Sequence, residues 1–386
     1  MTMKQPEHNI HFEQGPIRPP SEATSLLIRV TRNCPWNRCT FCPVYKDTRF
    51  SRRTVDEVLS DIDAMKRGYD LLKQMSANLG YGGAFPPEVL GRLLHGPGLS
   101  LPIRSLLLWL SGGGSSAFLQ DADSLVVKPD DLATILRALR EAFPSIERVT
   151  CYARSQTLAR RSVEDLRMLR EVGLDRVHVG LESGSDEVLR LVRKGCTAEK
   201  HIAGGRRVLE AGLELSEYVM PGLGGRALSK KHAEETARVL NEIDPHFIRL
   251  RSLAVPEGVP LADQVERGEF EPPNDVETVE EIRLFIEQLE GVGSRVVSDH
   301  ILNLLMEVEG QLPDDKDKIL ARLDEFLSLD PEDRDTYVIG RRTGLFRRLE
   351  DMDDTRRRRW AQERAHRLKA EGGFEETVSG LLRRFI

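Results

Sequence analysis

A chain of 386 residues, 40% hydrophobic and 31% charged, is long enough for one large domain or two modest ones and has an ordinary globular composition. Its formal net charge of -6 gives no global case for nucleic-acid binding. No apolar run approaches a membrane span, and Met1 to Pro20 is polar without an apolar signal core, so a soluble cytoplasmic protein is expected.

In chain order, residues 1–24 read as an extended lead-in and Ser25 to Thr31 as the first strand. Val55, Val58, Leu59 and Ile62 recur at helical spacing. Residues 81 to 104 are rich in Gly and Pro around a short helix near Glu88 to Leu94, and an insertion is expected over about 81–116. From residue 117 strands and helices alternate. Strands fall at Ala117 to Gln120, Arg148 to Ala153, Arg176 to Leu181, Leu213 to Met220 and Phe247 to Ser252. Helices fall at Asp130 to Ala142, Ser162 to Val172, Ser185 to Val192, Ala198 to Ala211 and Ser229 to Glu242. Such alternation implies parallel pairing through crossover helices, with ligands at the carboxyl ends of the strands. After Pro256 the pattern changes: residues 275 to 290 look helical, Ser294 to Ser298 is a short apolar piece, and the rest is mostly charged helix. A boundary near 260 divides a core, 25–260, from a helical extension, 261–386.

The organising stretch is Cys34-Pro35-Trp36-Asn37-Arg38-Cys39-Thr40-Phe41-Cys42, directly after the first strand. Thiolates suit zinc, copper(I) or iron–sulfur clusters. No fourth Cys or His stands at a usual zinc spacing. Three ligands without a fourth suggest a four-iron cluster with one iron open to a small molecule. A zinc knuckle or a redox thiol set is the alternative. The two other cysteines are too scattered for a second cysteine-bound cluster: Cys151 reads as a small buried side chain, and Cys196 has no partner in sequence.

That stretch resembles the radical SAM family, with Phe41 at the position before the last Cys where the family has an aromatic. The resemblance covers roughly residues 25 to 260 and implies a partial (β/α)6 barrel, here with a helical C-terminal extension. It also implies a 4Fe–4S cluster on Cys34, Cys39 and Cys42, with S-adenosylmethionine on the open iron. One departure is the four residues between Cys34 and Cys39 where the family has three. Where the family binds the cofactor's amino group, this chain has Asp121-Ala122-Asp123-Ser124, and Asp121 and Asp123 keep the acid. Ser111-Gly112-Gly113-Gly114-Ser115-Ser116 competes for that place but lacks an acid. Arg154 is the candidate for the cofactor carboxylate, with a strand-end structural bond as the alternative. Gly180-Leu181-Glu182-Ser183 resembles the signature that contacts ribose and methionine, so Glu182 and Ser183 are assigned there. Ser183 to Ser185 could instead cap the next helix. Val192 to Thr197 resembles the coproporphyrinogen-dehydrogenase-like and Elongator-like branches. Gly222 and Arg251 stand at the strand ends that approach adenine.

His300 and Asn303, three apart, would share a face if helical, with substrate handling and a satisfied core as the two readings. Arg356-Arg357-Arg358-Arg359-Trp360 could meet a phosphate-bearing partner but fits a solvated helix face. The expected activity is radical formation from S-adenosylmethionine and hydrogen abstraction from a small-molecule or unidentified substrate. A flavodoxin or ferredoxin would supply the electron, and neither membrane nor nucleic acid is an expected partner. Two other classes stay open: a non-catalytic iron–sulfur carrier or sensor, and a zinc-stabilised nucleic-acid module. Metal analysis separates them.

Overall fold

The computed structural model describes residues 10–96 and 99–384. The chain forms two compact units, the first made of residues 1–35, 47–178 and 207–214, the second of 36–46, 179–206 and 215–386.

In the first unit, β1 (Leu26–Arg29), β4 (Ser116–Gln120) and β5 (Arg148–Ala153) are parallel, with Leu27 opposite Phe118 and Phe118 opposite Thr150. A small ribbon pairs β2 (Thr31–Arg32) with β3 (Ser51–Arg52), antiparallel. Helix α1 (Val55–Asn78) runs far beyond the expected Ile62. Thr54 opens it with a reciprocal capping box: its hydroxyl accepts from the Glu57 amide, and the Glu57 carboxylate accepts from the Thr54 amide.

The expected insertion holds α2 (Pro87–Leu94) and α3 (Leu101–Ser111). A short apolar run does not tell strand from helix, and Leu106 to Leu110 is helical because Ile103, Leu106, Leu107 and Trp109 all bury. Trp109 meets Phe143 edge-on at 5.3 Å and Tyr69 at 5.9 Å. The glycine run therefore turns α3 into β4, with Gly113 and Gly114 at φ 93° and 67°. The unit continues with α4 (Pro129–Ala142), α5 (Ser155–Leu158) and α6 (Val163–Glu171). Ser162 caps α6 by accepting from the Asp165 amide at 3.0 Å.

Strand β6 (Arg176–Glu182) and helix α8 (Ala198–Glu210) each belong partly to both units, and α7 (Asp186–Leu191) lies between them in sequence. In the second unit β7 (Glu214–Val219) pairs parallel with β8 (Phe247–Leu250), Tyr218 opposite Arg249. The six expected strands are β1, β4, β5, β6, β7 and β8, and the fold is α/β with the strand-and-helix repeat of a partial (β/α)6 barrel. Helices α9 (Gly225–Ile243), α10 (Pro260–Glu266) and α11 (Asp275–Glu287) follow β7 and β8. Past residue 260 the chain is mostly helical, with one difference from expectation: the apolar piece at 294–298 is a strand. β9 (Arg295–Val297) lies parallel to β8, and β10 (Gly310–Gln311) lies antiparallel to β9. Helices α12 (Lys316–Ser328), α13 (Pro331–Arg342), α14 (Thr355–Ala370) and α15 (Phe374–Arg383) complete the extension. Arg356 to Trp360 begins α14 on an exposed face. Among the described residues no helix is long and apolar enough to cross a membrane.

Candidate functional site

The part of the cysteine loop in the second unit, residues 36–46, is held from several directions. Phe41 buries with Val188, Val192, Met220, Leu223, Val259, Leu261 and Phe270, and Cys39 and Cys42 pack against that cluster. Burying a Phe contributes roughly 1.5–3 kcal/mol. The Thr40 amide donates to the Val192 carbonyl at 3.0 Å, and the Thr40 carbonyl accepts from the Leu261 amide at 3.0 Å. Val192 ends α7 and Leu261 stands in the first turn of α10, so one loop residue satisfies an orphan group at each of two helix ends. Lys46 Nζ donates to the Cys39 carbonyl at 2.8 Å, and Trp36 Nε1 to the Arg193 carbonyl at 2.7 Å. Asn37 lies at φ 46° and donates to the Tyr45 carbonyl. It is one of the four residues between Cys34 and Cys39, and Asn is a residue type that tolerates the left-handed region.

All five cysteines are free of disulfides, and Cys34, Cys39 and Cys42 are half-buried. Among the described residues no three His, Cys, Asp or Glu side chains stand together as a metal-binding group. The donor set itself suits iron: soft thiols, one pair of them flanking a buried aromatic, in a loop already braced by two helices.

In the first unit the chain before Cys34 is pinned by Asp121. One Asp121 oxygen accepts from Arg29 Nε and Nη2 at 2.9 and 2.6 Å and from the Asn33 amide at 3.1 Å. Asp121 is fully buried, and a Cβ on Gly15 would come within 1.8 Å of its other oxygen. Asp123 accepts from the Thr157 hydroxyl at 2.6 Å and the Arg154 amide at 3.3 Å. Burial pushes its carboxyl up to about 6 against the pull of Thr157 and Arg154. This unit therefore brings Asp123 and Arg154 together. Cys151 is fully buried, and its thiol is pushed up by burial and by Asp123.

In the second unit Glu182 sits at φ 64°, and its carboxylate accepts from Lys194 Nζ at 3.0 Å. Gly180 makes room: a Cβ there would stand 2.3 Å from the Glu182 carboxylate. Ser183 is buried, and its hydroxyl accepts from the Ser185 amide at 3.0 Å. Gly222 lies at φ 88° and donates its amide to Glu281 at 2.7 Å. The Arg251 amide donates to the Val219 carbonyl at 3.0 Å. Its Nε is buried with no hydrogen-bond partner among the described residues, a donor suited to an anionic group.

His300 and Asn303 lie in a turn rather than on a helix, the Asn303 amide donating to the His300 carbonyl at 3.0 Å. His300 Nδ1 accepts from the Leu302 amide at 3.2 Å, which leaves any ring proton on Nε2. Burial, and secondly the nearby Arg251, push His300 down to about 4, so it is neutral at pH 7. Asn303 is 1% exposed and committed to the strand end. It accepts from the Ser252 amide and hydroxyl at 2.9 and 3.1 Å and donates to the Leu250 carbonyl and Ser298 hydroxyl at 2.8 and 3.0 Å.

Sequence reasoning missed His232 and Glu281. His232 Nε2 stands 3.1 Å from the Glu182 carbonyl and Nδ1 stands 2.9 Å from the Glu281 carboxylate. Glu281 also accepts from Gly222 and, at 2.5 Å, from the Ser229 hydroxyl. The pair ties the end of β6 to the glycine turn after β7. The available signal was a polar residue on a buried stripe: His232 lies four before Thr236 on α9, and Glu281 four before Phe285 on α11, all buried.

Residues 108–240, from α3 into α9, match the Radical SAM superfamily. The tRNA uridine(34) acetyltransferase of Methanocaldococcus infernus is 29% identical over 125 residues, 31% of this chain and 23% of that protein. The aligned segment thus spans under a quarter of the curated relatives it matches. Among solved structures, Elp3 of Methanocaldococcus infernus with an N-terminal deletion is 20% identical with TM-score 0.41, covering 52% of this chain and 53% of that one. Coproporphyrinogen III oxidase (HemN) of Escherichia coli is 16% identical with TM-score 0.42, covering 69% of this chain and 52% of that one.

Proposed function

We propose that this chain, an enzyme of the radical SAM superfamily with a 4Fe–4S cluster and S-adenosylmethionine as cofactors, takes a hydrogen atom from an organic substrate. When bound, those cofactors supply the chemistry: reductive cleavage of the sulfonium to methionine and a 5′-deoxyadenosyl radical. The reading rests on the Cys39–Cys42 turn, two half-buried thiols braced around buried Phe41.

In this reading Cys34, Cys39 and Cys42 are the thiolate ligands, and Phe41 shields their loop from water. Asp121 positions the Cys34 segment through Arg29 and the Asn33 amide. Asp123 holds the strand end that presents Arg154 to a carboxylate. Glu182 and Ser183 face the ribose and methionine end, with Lys194 holding the Glu182 carboxylate in place. Gly222 lets backbone approach the adenine, and Arg251 stands at the neighbouring strand end beside it. His300, neutral, offers a hydrogen-bond donor rather than a charge. The oxygen sensitivity of such a cluster calls for a reducing compartment.

Reconstituted anaerobically and reduced with dithionite, the protein should release 5′-deoxyadenosine from S-adenosylmethionine, measured by chromatography against Cys42→Ala. Small-molecule and tRNA fractions of host extract, added separately, should locate the substrate by which one accelerates release. A reduced, intact four-iron cluster that yields no more 5′-deoxyadenosine than the blank with either fraction would overturn the reading.

A further inference from the structure

We propose that a basic cleft beside the cysteine loop is the docking face for an acidic one-electron donor protein, an inference that rests on the radical-enzyme reading above. The cleft lies within the second unit and has a volume of about 670 Å³. Arg38, Lys46, Arg190, Arg193 and Lys200 line it together with Trp36, and among the described residues no carboxylate does. In a chain of net charge -6 this is a local reversal of sign. Arg38, Arg190, Arg193 and Lys200 are exposed, and among the described residues none of the four forms an ion pair. Two acids close in sequence pair with other lysines, Glu187 with Lys231 at 2.6 Å and Glu182 with Lys194 at 3.0 Å, and Glu187 also feels Arg190. Like charges gathered in one cleft repel each other, and they steer an oppositely charged partner.

The aromatic in the cleft decides between partners. Single-stranded nucleic acid uses an open ring on which bases stack. The Trp36 ring is half-buried and partly occupied: the Arg38 guanidinium carbon lies 5.2 Å from its centroid, and a Cβ on Gly195 would come within 2.4 Å of it. A protein with a carboxylate-rich face needs no stacking plate. The cleft also shares its wall with the proposed ligands, since Lys46 donates to the Cys39 carbonyl at 2.8 Å. Electron transfer weakens steeply with distance, so a donor seated here is placed for it. One electron leaves the reduced flavin or iron–sulfur donor and enters the cluster, and no bond in the protein forms or breaks.

The test uses the Arg190→Glu/Lys200→Glu double variant, both sites exposed and outside the cofactor machinery. Binding of an acidic flavodoxin and of an acidic ferredoxin to the full chain is measured by calorimetry at low and high salt, with and without reconstituted cluster. The wild type should bind at least one of them, at least tenfold more weakly at high salt, and the double variant should lose at least tenfold in affinity at low salt. In the reconstituted protein, 5′-deoxyadenosine release driven by the reduced donor should fall by a similar factor while dithionite-driven release is unchanged. Binding and donor-driven rates unaffected by charge reversal would overturn the docking proposal, as would charge-sensitive binding of tRNA with no binding of either donor. A wild type that is silent with dithionite speaks against the enzyme reading instead, while the binding measurement still decides the docking.

Discussion

His232 stands within hydrogen-bond distance of the Glu182 carbonyl and the Glu281 carboxylate, and it donates to both only when both ring nitrogens carry protons. Its pKa is accordingly raised: burial opposes the charge, but Glu281 and the Glu182 carbonyl outweigh it. The linked stability is fully present below the unfolded value of about 6.5 and is lost as pH rises through the higher folded value. His232→Ala should therefore cost about 3–5 kcal/mol at pH 6, the scale for stranding a buried charge. Its deficit against wild type, followed by thermal unfolding, should narrow as pH rises. Glu217 shows the opposite economy. It is 1% exposed on β7, and neither carboxyl oxygen has a hydrogen-bond partner among the described residues. Burial pushes it well above the carboxylate range, Lys194 pulls it back, and Glu182 adds to the rise. The unfolded chain ionises first, near pH 4.3, so stability falls as pH climbs from there toward the folded value. Glu217→Met should raise stability by about 1–3 kcal/mol, with a gain that grows between pH 4 and 7 in denaturant titrations. The three loop cysteines stand out in the sequence because thiols cluster rarely without chemistry. His232, Glu281 and Glu217 were not, because their meaning lies in partners far away in sequence.

Helix α9 meets the loop after β6 at Gly184, whose amide donates to the Thr236 hydroxyl at 2.9 Å. A Cβ there would stand 2.3 Å from the Glu235 carbonyl oxygen, which is backbone and cannot swing aside. Gly184→Ala should cost roughly 1–3 kcal/mol by overpacking. It should also disturb the Glu182–Ser183 segment, seen as shifted amide resonances there; an unchanged midpoint would show that α9 yields easily. Elements with a clear period and a capping residue, such as α6 after Ser162, were readable from sequence. Helix α3 was not, because an apolar run of a few residues has no decisive period, and its identity came from Trp109 packing on Tyr69 and Phe143. Strand β9 was missed because three residues carry little signal until β8 stands beside them.

For the whole chain, the strand–helix alternation was the legible part, and most of the superfamily match at 108–240 overlaps it. The cysteine loop lies before that match, so its assignment stands on its own chemistry and needs its own test. Replacing Cys34, Cys39 or Cys42 with Ala should each abolish the brown chromophore and the bound iron after reconstitution. Cys196→Ala should keep both. A Cys39→Ala protein with a full four-iron complement by iron and sulfide assay would remove the triad from the metal site.

Thr40, stapled between the end of α7 and the start of α10, also bears on how iron could enter. Both of its hydrogen-bonding groups are engaged, so the segment between Cys39 and Cys42 cannot swing outward while both helices stay formed. Opening must be a local unfolding event with its own free energy, shared with the first turn of α10. In deuterium exchange on the metal-free chain, the Thr40 and Leu261 amides should exchange slowly and at matching rates. Assembly of the metal centre would then be paced by fraying of a short helix rather than by the arrival of iron and sulfide.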